Sequence, residues 1–163
     1  MTSSTVITRD GLARMEEELE QLVTVGRSEV AEHLRYALSN SASAAENPDM
    51  EHAREEQAQL ERRIAILRDR IADAEPVDPD ATNGVVDVGE RVRLRDLATG
   101  RRFEYELVGS HESDVFAGRI SNASPLGGAL VGLGTGQVAL VDAPTGLRRL
   151  EILAIETPEP LVP

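Results

Sequence analysis

The chain predicts an α+β fold: an antiparallel α-helical coiled-coil hairpin, then a small antiparallel β-sheet domain with one short helix. Three observations carry this. From Met50 to Ala74 a seam position recurs every three then four residues, at Met50, Ala53, Gln57, Leu60, Ile64, Leu67, Ile71 and Ala74. After Val85 the period falls to two, as in Arg91-Val92-Arg93-Leu94-Arg95. Between them, residues 75–84 are rich in Pro, Asp, Asn and Gly. A sustained 3-4 spacing makes a narrow stripe that another helix buries; strict alternation makes a half-buried strand.

Each element has its own signal. Residues 1–7 form a short polar lead, and Thr8 or Asp10 can cap a first helix. Leu12, Met15, Leu19 and Leu22 start its stripe, which continues loosely through Val25 or Gly26, Val30, Leu34 and Tyr36 to Leu38. Gly26 is a candidate kink, because glycine weakens a helix interior. Residues 39–46 are small and polar and carry no stripe, so they read as the turn of a hairpin; one continuous helix in a parallel dimer is the alternative. Asn47 can cap the second helix, and Pro48 suits its first position, where a missing N–H costs nothing. At roughly 1.5 Å per residue that helix runs about 40 Å. Further on, Phe103-Glu104-Tyr105-Glu106-Leu107 alternates after a turn at Gly100, Val115 to Ile120 reads as a further strand, and Pro125 opens a short helix. Residues 137–141 and 147–155 pair over Pro144-Thr145-Gly146. The boundaries are then a hairpin over 1–75 with its tip at about 38–47, a linker over 76–84, a C-terminal domain over 85–158 and a tail over 159–163.

Composition excludes several classes. The net charge is −12, and residues 1–80 hold nine Arg against eighteen acids. A broad basic face for duplex DNA is not expected, whereas a partner with a basic cavity or a metal-bearing site suits the acidic half. There is no Cys, hence no thiolate chemistry or disulfide. No apolar run reaches the ~20 residues of a membrane span, and the start lacks a signal pattern, so a cytoplasmic location is expected. Two Phe, two Tyr and no Trp leave few rings for a ligand pocket. His33, His52 and His111 have no metal-ligand spacing. The run Gly132-Leu133-Gly134-Thr135-Gly136 lacks the Lys and the flanking helix of a phosphate loop and reads as a turn.

Five stretches, in order, resemble the Gre family of bacterial transcription elongation factors. They are Thr8-Arg9-Asp10-Gly11-Leu12; Glu16-Glu17-Glu18-Leu19; Glu46-Asn47 with Glu55-Glu56-Gln57; Gly118-Arg119-Ile120-Ser121; and Ser124-Pro125-Leu126 with Ala129-Leu130-Val131-Gly132. The resemblance implies a coiled-coil hairpin joined to an FK506-binding-protein-like (FKBP-like) domain. It implies docking of that domain on the rim of the RNA polymerase secondary channel, with Ser124, Pro125 and Leu126 as the docking segment. The hairpin then enters the channel. Two tip acids in a pattern like Gly-Asp-Leu-Ser-Glu-Asn help hold the polymerase's second catalytic Mg²⁺ for cleavage of backtracked RNA.

The tip departs from that pattern. Glu46-Asn47 matches the second acid and its Asn, but Ser43 stands three positions before, where the first acid belongs. Counted from Arg27, the tip is also one residue longer. Asp49 and Glu51 are the nearest spare acids, on the outgoing helix. Divalent affinity follows the number of charged ligands, so a hydroxyl at 43 weakens metal recruitment. The expectation is a monomeric, non-enzymatic factor with no cofactor or metal of its own. It binds polymerase and mainly inhibits RNA synthesis, with Ser43, Glu46 and Asp49 as the tip contacts toward the shared Mg²⁺. Alternatives are a factor that stimulates cleavage, a prolyl isomerase or chaperone built on the FKBP-like half, whose only rings are Phe103, Tyr105 and Phe116 where such clefts are rich in them, and a coiled-coil adaptor. Arg54 and Arg62 are expected to pair with acids such as Glu51 or Glu55 on the helix surface.

Overall fold

The computed structural model describes residues 4–40 and 47–159. They divide into two units, residues 13–72 and residues 1–12 with 73–163.

The first unit is the helical hairpin. Helix α1 (Arg9–Gln21) runs through a π-helical turn (Leu22–Gly26) into α2 (Arg27–Ser39), and α3 (Pro48–Ala72) returns. Met15, Ala37, Met50, Ala53, Ile64 and Leu67 are buried along the seam. The π turn replaces the expected kink, and the stripe explains it. Leu22, Gly26, Val30 and Leu34 are spaced 4-4-4 where a regular seam needs 4-3-4, one residue too many. A π turn absorbs one extra residue and keeps the later positions on the same face. The seam therefore ends on Ala37, which is 1% exposed, and Tyr36 and Leu38 point to solvent, contrary to expectation. Gly26 has its own packing reason: a Cβ there would lie 3.1 Å from Leu60 Cδ1. Gln57, the polar member of the α3 seam, is exposed.

The described ion pairs of the hairpin cross between its two arms. Arg63 pairs with Glu18, Arg27 with Glu61 at 2.9 Å through both Nε and Nη2, and His33 Nδ1 with Glu56 at 2.7 Å. Exposed pairs add little stability each, but together they specify the register of two acidic arms. The same contact with Glu56 holds the His33 ring above its ordinary pKa.

The second unit begins with a pairing that the sequence did not show. Strand β1 (Thr5–Thr8) lies parallel to β2 (Ala74–Val77), in register Thr5 to Ala74 through Thr8 to Val77. Residues 4–12 thus join the globular unit, and β2 occupies the stretch where the hairpin was expected to pass into a linker. Four-residue strands are too short to show a period, and Pro76 argues locally against one; a two-stranded edge tolerates it.

The five-stranded sheet holds β3 (Arg91–Asp96), β4 (Arg102–Val108), β5 (Arg119–Ser121), β6 (Val138–Ala143) and β7 (Gly146–Glu156) in the order β5-β4-β3-β7-β6. Neighbours are antiparallel except β4 and β5, which are parallel. The expected strand over 115–120 is instead a 3₁₀ turn (Val115–Ala117) followed by β5. Asp114 caps that turn through Oδ1, and Gly118 closes it at φ +73°, so the chain reverses before it pairs. Helix α4 (Pro125–Leu130) lies next, with Leu126 and Ala129 packed on the core and Leu130 within it. Leu94, Leu107 and Ile152 anchor this core at 0% exposure, joined by Val86, Val92, Leu150 and others. Among the described residues no helix is long and apolar enough to cross a membrane.

Asp96 organises the β3–β4 turn. It is buried, accepts Arg148 Nη2 at 2.9 Å on Oδ2, and accepts the N–H groups of Ala98 and Thr99 on Oδ1. Arg148 chiefly, then the Ala98 N–H, holds its carboxyl below the usual carboxylate range. A group whose folded pKa is depressed stabilises above its unfolded pKa, and that contribution fades as pH falls through the folded value. Asp96→Asn is therefore expected to lower the melting temperature at neutral pH and to flatten its fall on acidification below about pH 4; melting curves between neutral pH and pH 3 read this. Leu94→Ala should cost about 2–5 kcal/mol of unfolding free energy in denaturant titration, because the central strand cannot collapse into the cavity.

Candidate functional site

The hairpin end is built from Asn47 outward. Its Oδ1 accepts the Asp49 N–H at 3.1 Å, and its backbone carbonyl accepts the N–H groups of Met50 and Glu51, so it caps α3. Its Nδ2 donates to the carbonyl of Ala37 at 2.8 Å. That carbonyl sits near the end of α2, where helical partners run out. One side chain therefore starts α3 and ties it to the end of α2. Asp49 stands exposed in the first turn of α3, where the helix N-terminus favours negative charge. Ser43 and Glu46 lie outside the described residues. Among the described residues no cluster of three or more His, Asp or Glu is placed to hold a metal.

The second expected site lies at α4. Ser124 is its N-cap: Oγ accepts the Gly127 N–H at 3.0 Å and donates to the Ser121 carbonyl at 2.7 Å. Pro125 follows at the first helical position and is exposed, while Leu126 turns half inward. Gly127 has no alternative, because a Cβ there would lie 1.9 Å from the Ser121 carbonyl oxygen. The structure thus presents Ser124 and Pro125 on a turn pinned to the end of β5. The expected tip residues and docking residues fall in different units.

The three rings of the C-terminal half lie apart from the two expected sites. Phe103 and Tyr105 stack on one another, centroids 6.2 Å apart, and pack against the core. Arg148 lies over Phe103 at 5.4 Å. Phe116 projects fully into solvent from the 3₁₀ turn.

Sequence reading missed Glu112. It is 8% exposed, and its carboxylate reaches Thr8 at the start of α1. A signal was present. Thr8 is a cap residue, and the position three further on, where a capping Glu or Gln belongs, is Gly11.

Comparison with known proteins finds relatives over nearly the whole chain. The model of the N-terminal domain of transcription elongation factors matches residues 5–75, and that of the GreA/GreB C-terminal domain matches residues 81–157. Transcription elongation factor GreA of Clostridioides difficile is 40% identical over 151 residues, covering 92% of this chain and 94% of the relative. GreA of Thermoanaerobacter pseudethanolicus is 38% identical over 156 residues, covering 95% and 99%. The crystal structure of GreA factor homolog 1 (Gfh1) of Thermus thermophilus is 30% identical, with a TM-score of 0.42 over 94% of this chain and 99% of that one. The chain belongs to the GreA/GreB family of transcription elongation factors.

Asn47→Ala removes the α3 cap and the tie to Ala37 together. It should cost about 1 kcal/mol or more locally. The expected readout is faster hydrogen exchange at Met50 and Glu51, with Ile64 and Leu67 unchanged.

Proposed function

We propose that this chain docks on RNA polymerase in the cytoplasm and extends its hairpin into the secondary channel. There it mainly slows RNA synthesis and gives weak or no stimulation of transcript cleavage. It is not itself an enzyme in this reading; it acts on the polymerase's active centre. The observation that carries the reading is Ser43, which stands where the family pattern places the first tip acid.

The described geometry supports the mechanical part. At roughly 1.5 Å per residue the 25 residues of α3 span about 37 Å. The seam and the cross-arm ion pairs make the two arms a single stiff element, and Asn47 ties its far end. Such an element occupies a channel whether or not it brings metal ligands. Mg²⁺ prefers oxygen ligands and is commonly held through carboxylates. The tip offers Glu46 alone at the family positions, which does not fit a strong second-metal site. Ser124 and Pro125, held outward by the α4 cap, are the proposed docking segment on the channel rim.

Asp49 motivates the second reading, in which Glu46 and Asp49 together support cleavage. The two separate on one assay. Stalled, backtracked complexes incubated with the wild-type protein should release little cleaved RNA beyond the polymerase's own activity, while nucleotide addition slows. Ser43→Asp should raise cleavage. Cleavage by the wild-type protein at the rate of an acidic-tip GreA, abolished by Glu46→Ala or Asp49→Ala, would establish the second reading instead.

A further inference from the structure

The start of α1 is capped by a carboxylate from 104 residues away. Thr8 Oγ1 accepts the Gly11 N–H at 3.0 Å, the first half of a capping box. In the usual box the residue at Gly11's position reaches back to the cap's own N–H. Glycine has no side chain, and Glu112 takes that part. Its Oε2 accepts the Thr8 N–H at 2.9 Å and the Gly109 N–H at 2.9 Å, and its Oε1 accepts the Thr8 hydroxyl. The fit is close on every side. A Cβ at Gly11 would lie 1.8 Å from Glu112 Oε1, and one at Gly109 would lie 2.0 Å from the Val6 carbonyl oxygen.

The loop that carries Glu112 also leads to α4. Ser110 Oγ lies 3.4 Å from Ser121 Oγ, and the Ser121 carbonyl accepts the Ser124 hydroxyl. A continuous line of hydrogen bonds and short backbone steps thus runs from the first turn of α1, through Glu112, to the turn that presents Ser124 and Pro125. Core packing alone would not call for a carboxylate in a site this buried. A buried acid is retained where its hydrogen bonds to fixed donors are needed.

We propose that Glu112 is the positioning residue of the α1 start. It anchors the first turn of α1 to the loop behind the docking segment, and the inhibition depends on that turn being held. This rests on the proposed inhibitory role. The residue touches neither the tip nor the partner; it acts through Thr8 and the α1 cap.

The test uses full-length Glu112→Ala, Thr8→Val and Thr8→Ser, with core polymerase. Glu112→Ala should speed amide exchange at Thr8 and Gly11 by about tenfold or more, with Val92 and Leu94 in the sheet unchanged. Competition for core polymerase should stay within about threefold of wild type, while the inhibition reached at saturation drops by roughly half or more. Thr8→Ser keeps the hydroxyl and should match wild type; Thr8→Val should follow Glu112→Ala. If Glu112→Ala does not fold, the Thr8 pair decides, since both variants spare the Glu112 carboxylate. Unchanged exchange at Gly11, or full inhibition at saturation by Glu112→Ala or Thr8→Val, overturns the proposal. A wild-type protein that fails to slow synthesis overturns the inhibitory role instead, which separates the two failures.

Discussion

The parallel pairing of β1 with β2 is the constraint on which the rest of the chain depends. Parallel strands cannot be joined by a tight turn; they need a long crossover. Here the crossover is the helical hairpin itself, entered after Thr8 and left at Asp73, whose carbonyl accepts the Thr5 N–H at 2.9 Å. The chain therefore leaves and re-enters the globular unit through adjacent, hydrogen-bonded strands. Val6 and Val77, packed against the main core, tie that sheet to the hydrophobic interior of the globular unit.

Within the hairpin, shape and charge divide the work. The seam mixes sizes: alanines at 37 and 53 stand with Met50 near the tip, and larger Met15, Ile64 and Leu67 fill it toward the root. Small residues lower the apolar area gained at those two positions. Asn47 closes the far end through Ala37, and His33–Glu56 and Arg27–Glu61 stitch the acidic surfaces behind it.

The globular unit repeats one device at three corners: a short polar side chain caps a turn and pins it to a neighbouring strand or loop. Asp96 does so at the β3–β4 turn, Asp114 at the 3₁₀ turn and Ser124 at α4. A sheet core this small cannot hold its corners by apolar burial alone, and each cap satisfies backbone donors that would otherwise lose their partners.

The two arms of the hairpin, the α3 cap, the α4 cap and four of the five strands of the larger sheet were legible in the sequence; the expected turn between the arms lies largely outside the described residues. Each rests on local chemistry: seam spacing, Asn47-Pro48, Ser124-Pro125 and strict alternation around Gly100 and Gly146. Ser43 beside Glu46 was also legible, because it is a difference of residue type at a recognisable motif. Sequence alone did not decide the β1–β2 pair, the exposure of Tyr36 and Leu38, the π turn or the reach of Glu112 to Thr8. Those depend on which distant segment arrives beside which, and on where one surplus residue in a stripe is absorbed. Local periodicity determines what an element is; only the packed chain decides what it meets.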